Sequence, residues 1–181
     1  MLLDNGIVHD IATALTGNWH PDQEDDEERR DRMVAAARIR IFADGSQYGW
    51  QLAAAPAARE QAMGYDGSEW SVGFLRDITS LDDAPPEQDV QALEEIFRDA
   101  RIGNASATTL AYAVLYEPVT YVITAVPSDL KHQRVGDRPE RLEIIDPVEA
   151  VVRLQIVAGE QPTIRPQVGS KLDEGPHWWL L

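Results

Sequence analysis

The chain has 181 residues, with 16 basic against 31 acidic side chains and four His, giving a formal net charge of −15. Its 44% hydrophobic and 26% charged content is that of an ordinary globular protein, and a compact chain of this length buries roughly 70% of the surface its unfolded form exposes, enough for one domain with a sizeable core. The absence of Cys excludes disulfides, thiolate metal sites and Cys nucleophiles, so any metal must be held by oxygen ligands or His.

Met1, Leu2 and Leu3 open the chain as a short strand ending at Asp4. Ile7, Val8, Ile11, Ala12 and Leu15 then recur at helical spacing up to Gly17. Residues 22–32 place acids before bases, an order that suits a helix macrodipole, and lead into Met33 and Val34 of a helix expected to reach Asp44 and Gly45. A second short strand is expected at residues 50–55. Pro56 halts it and opens a helix carrying Ala57, Arg59, Glu60 and Ala62. Residues 64–86, rich in Gly, Asp and Pro, read as a loop-rich connection.

Val90, Leu93, Ile96 and Phe97 mark an amphipathic helix ending near Asp99 and Ala100, and residues 105–116 form a more apolar one whose small side chains suit close packing. The clearest strand is residues 119–124, β-branched and aromatic throughout, followed by a polar turn at Pro127, Ser128, Asp129 and Leu130. A further strand, residues 142–145, precedes Asp146, Pro147 and a helix from Val148 to about Ile156. Four strand-to-helix alternations imply an α/β fold with a mainly parallel sheet covered on both faces.

Residues 158–181 differ in kind. Their Gly and Pro preclude a long helix, and the closing His177, Trp178, Trp179, Leu180 and Leu181 suit an arm packed on the body or on a partner, a second copy of the chain included. Residues 1–10 carry two acids and a His where an export signal needs bases and an apolar run, and no stretch approaches the roughly 20 apolar residues of a membrane span. A soluble cytoplasmic protein is expected.

In an open parallel sheet, ligands collect at the carboxyl ends of the strands. Acids dominate what the chain delivers there: Asp4 ends the first strand, Glu60 lies one turn into the helix after the second, Asp99 closes or opens a helix leading towards the clearest strand, and Asp129 follows that strand. If the four converge, their mutual repulsion calls for a divalent cation, and oxygen-only ligands select magnesium or manganese. Such an ion binds phosphate oxygens and lowers the pKa of a bound water, which points to phosphodiester hydrolysis. Each acid has a plainer reading beside this one. Asp4 suits a helix cap, Glu60 pairs with Arg59 or solvent, Asp99 pairs with Arg98 or Arg101, and Asp129 serves as a turn residue.

Three stretches resemble the PIN-domain family of metal-dependent nucleases, many of them toxins of bacterial toxin–antitoxin pairs. Residues 2–8, LLDNGIV, look like its opening strand with the first acid, and residues 56–60, PAARE, look like the helix start bearing its Glu. The third is discontinuous: Asp99, Ala100, Arg101 and Ile102 onward to Ala105, then residues 121–124, then residues 142–149. The resemblance covers residues 1–157 and implies a three-layer α/β/α sandwich with residues 158–181 as an extension. It also implies a magnesium-dependent ribonuclease with Asp4, Glu60, Asp99 and Asp129 as catalytic and metal-binding residues, RNA as substrate and an antitoxin protein as partner. The chain departs from the family after Thr124, where an Asp is usual two residues on. Val126 stands there, and Asp129 comes three residues later.

Basic residues that could guide RNA are few: Arg98, Arg101, Lys131, His132 and Arg134, all equally suited to a solvated surface. An inactive relative that binds a protein through its acidic helix or Trp-rich tail is the rival expectation. A nucleotide-binding doubly wound protein is disfavoured by the lack of a Gly-rich phosphate loop, and a serine hydrolase by the lack of a G-x-S-x-G elbow.

Overall fold

A computed structural model describes residues 1–15, 19–39, 51–56, 58, 84–127 and 139–159. Within them, four parallel strands lie in the order β2-β1-β3-β4, where β1 is Leu2–Leu3, β2 Ala53–Ala54, β3 Tyr121–Ile123 and β4 Glu143–Ile145. Five α-helices accompany the sheet: α1 Asn5–Leu15, α2 Glu27–Ile39, α3 Glu87–Asp99, α4 Asn104–Leu115 and α5 Pro147–Val157. The chain is thus an α/β protein, and each strand hands over to helix: α1 follows β1, Pro56 and Pro127 are helical just beyond β2 and β3, and α5 follows β4. None of these helices is long and apolar enough to cross a membrane.

Side chains alternate across a strand, and here the alternation builds two cores. Leu2 is in register with Ala53 and Val122, and Val122 with Ile144, so these four point to one face and pack with Val90, Phe97, Leu110 and Ala111 of α3 and α4. Leu3, Ala54, Ile123 and Ile145 point to the other face, against Ile7 and Ile11 of α1, Met33 and Ala36 of α2, and Val151 and Leu154 of α5. A sheet buried on both faces needs apolar residues at consecutive positions, as in Leu2–Leu3 of β1, Val122–Ile123 of β3 and Ile144–Ile145 of β4.

The helix ends follow from local chemistry. Asp146 caps α5 by accepting a 2.8 Å hydrogen bond from the Glu149 N–H, with Pro147 supplying the preset φ of a first helical residue. Acids Glu27 and Glu28 open α2 and Arg38 lies in its last turn, as the macrodipole favours. Beyond α3, Arg101 adopts φ 66°, and the Ile102 N–H reaches back to the Phe97 carbonyl at 3.0 Å, a left-handed helix stop that turns the chain into α4.

At the far end of α4, the Arg141 guanidinium donates to the carbonyls of Val114 at 3.0 Å, Ala113 at 3.4 Å and Val119. One cation thereby serves carbonyls that the helix end leaves without partners. Elsewhere, Arg32 of α2 donates from Nε to Asp10 Oδ2 of α1 at 3.1 Å, clasping these two helices.

The strands are shorter than the sequence suggests. The ladder covers Tyr121–Ile123 instead of residues 119–124, because the Val119 N–H turns back to the Tyr116 carbonyl, and β2 spans only Ala53–Ala54 of the expected 50–55. The expected extension of α2 to Asp44 and Gly45, most of the 64–86 connection, and the tail from residue 160 lie outside the described residues.

Two stability predictions follow from these contacts. Arg141→Met, which keeps an apolar stem but removes the donors, is expected to cost about 1.5–3 kcal/mol in urea unfolding. An unchanged midpoint would show that solvent serves the α4 carbonyls equally well. For Asp10, burial raises the pKa above the ordinary carboxylate value, against the opposing pull of Arg32. Over the resulting window the folded chain holds a proton that the unfolded chain has released, so this group's stabilising contribution declines as pH rises. Asp10→Asn should therefore gain in Tm relative to the parent over the range in which pH rises above the ordinary carboxylate value of about 4. A relative loss over that range would contradict the sign.

Candidate functional site

The strand order places β1 between β2 and β3. The chain runs from β1 to one side, then returns past it to the other, so the switch point lies between β1 and β3. Crevices at such points, outside the carboxyl ends of the strands, are where open α/β sheets collect ligands. Asp4 follows β1 directly and Thr124 follows β3 directly. The Asp4 N–H continues the ladder to the Ile123 carbonyl at 2.9 Å, and its own carbonyl accepts from Ile7 and Val8, starting α1.

The Asp4 side chain is 4% exposed and surrounded by donors. Oδ2 accepts from the Thr124 hydroxyl at 2.8 Å and from the Ser106 hydroxyl at 3.0 Å. Oδ1 accepts from the Asn5 N–H at 2.8 Å and from the Thr109 hydroxyl at 3.1 Å, a hydroxyl shared with the Ala105 carbonyl at 3.2 Å. A carboxylate offers about four acceptor positions, and four donors from α1, α4 and the end of β3 meet them here. The Val126 N–H donates in turn to the Thr124 oxygen at 3.3 Å, leaving the Thr124 proton directed at Asp4.

Beside this network lies a half-open cavity of about 220 Å³. Asn5 of α1, Ala55 and Ala58 after β2, and Asn104, Ala105, Thr108 and Thr109 of α4 line it. Gly103, which has no side chain to cap with, precedes α4, and Asn104 and Ala105 of the first turn of α4 line the cavity. Asp4 stands behind the Asn5 and Thr109 wall of this cavity.

The four sequence-selected acids have different outcomes. Asp4 sits at the switch point, doing more than cap a helix. Asp99 is the last residue of α3, exposed, and is neither a donor partner of Asp4 nor a lining residue of the cavity. Arg98, expected as its partner, pairs instead with Glu94 at 2.7 Å. Glu60 and Asp129 lie outside the described residues, as do Arg59, Lys131, His132 and Arg134. Among the described residues, no group of three or more His, Asp or Glu side chains stands close enough to hold a metal ion.

Magnesium requires about six oxygens near 2.1 Å in octahedral array. Several of these are usually waters, with one or two carboxylates beside them. Among the described residues Asp4 is the carboxylate at this crevice, and hydroxyl and amide protons occupy its acceptor positions. The residues that sequence reasoning passed over are the three hydroxyls, Ser106, Thr109 and Thr124. Ser106 and Thr109 are three apart on one helix face, a spacing legible in the sequence, but nothing in it names their shared acceptor about 100 residues away.

No known family, curated protein or solved structure matches the chain. The geometry makes its own prediction. Thr124→Val keeps the volume of the side chain and removes the shortest hydroxyl bond to Asp4, so a loss of about 1.5–3 kcal/mol is expected in urea unfolding. A loss below about 0.5 kcal/mol would mean that the hydroxyl does not hold a charged acceptor.

Proposed function

We propose that the chain is a PIN-like, three-layer α/β/α protein in which Asp4 serves as an internal anchor, and that it acts by binding a protein partner rather than by cutting RNA. One observation carries this reading: the Asp4 carboxylate spends its acceptor capacity on Ser106, Thr109, Thr124 and the Asn5 N–H. A metal would have to displace these donors. The charge of −15 works in the same direction, because it disfavours non-specific adhesion to a polyanionic strand. At the carboxyl end of the sheet, three alanines line the cavity, and Val126, 43% exposed, follows Thr124. Apolar groups at that edge suit a protein surface better than a phosphate backbone. The three-layer reading rests on the two cores, one on each face of the sheet.

A second reading, a magnesium-dependent ribonuclease of PIN type with an antitoxin as partner, is favoured by one observation: the anchor sits at the switch point where open α/β sheets collect ligands, beside a cavity lined by the first turn of α4. It assigns Glu60 and Asp129 as further ligands to Asp4 and Asp99, with the ion activating water for attack on phosphorus.

Titration of the purified chain with magnesium and manganese in a calorimeter, alongside an RNA cleavage assay, separates the two. The binding reading expects no cleavage dependent on either metal and no heat that disappears in Asp4→Asn. Metal-dependent cleavage in the parent, lost in an Asp4→Asn variant that retains its circular dichroism spectrum, would overturn it in favour of the nuclease. Asn is the informative substitution because Ser and Thr hydroxyls also accept, so the amide can be accommodated where Ala would strand three polar groups.

A further inference from the structure

We draw no further inference here: the strongest candidate, the cavity of about 220 Å³ between the start of α1, the end of β2 and the first turn of α4, belongs to the site already described, and nothing in the structure shows what fills it.

Discussion

A buried carboxylate held by neutral donors ties this molecule together. Asp4 leaves water almost completely, and among the described residues its hydrogen-bond donors are three hydroxyls and one backbone N–H. Burying a charge is costly unless hydrogen bonds replace the lost hydration. Four donors do so here, and they come from three places: the start of α1, the first two turns of α4 and the residue after β3. Each bond therefore also fixes one element relative to another. If Asp4 fails to meet its hydroxyls, α4 loses its polar link to the switch point, and the β1 and β3 ends lose the bond that joins them through Thr124.

The rest of the architecture supports this arrangement. Apolar residues alternate across the four strands and bury one set against α3 and α4 and the other against α1, α2 and α5. The α3–α4 pair is positioned at one end by the left-handed turn at Arg101 and at the other by Arg141 on the α4 carbonyls. With α4 held at its far end, its first turns present Ser106 and Thr109 to Asp4 and Asn104 and Ala105 to the cavity. The Asp10 and Arg32 clasp performs a comparable task for α1, the helix that begins immediately after the anchor.

Much of this fold could be read from the residues themselves. The strands at Leu2, Tyr121 and Glu143 announce themselves by consecutive large apolar residues, β-branched in Val122, Ile123, Ile144 and Ile145, and Asp146 followed by Pro147 marks the start of α5. The two-residue strand at Ala53 carries little intrinsic β signal and owes its pairing to Leu2 and Leu3. The position of Asp4 is legible because an acid directly after a strand stands at the sheet's carboxyl end. An acid at a helix terminus looks the same in sequence whether it faces a cleft or solvent, and Asp99, at the end of α3, is exposed. The hydroxyls that satisfy Asp4 escaped notice because Ser and Thr are common on helices, and only the folded register brings positions 106, 109 and 124 to one carboxylate.

A double-mutant cycle between Asp4→Ala and Thr124→Val, read by urea unfolding, tests the anchor most directly. Subtracting the two single losses from the loss in the double variant isolates the energy shared by the pair. A coupling of about 1.5–3 kcal/mol is the expected result for a hydroxyl bonded to a buried carboxylate. Additive losses, within about 0.5 kcal/mol, would contradict the account, because they would mean that Asp4 and Thr124 stabilise the fold independently of each other.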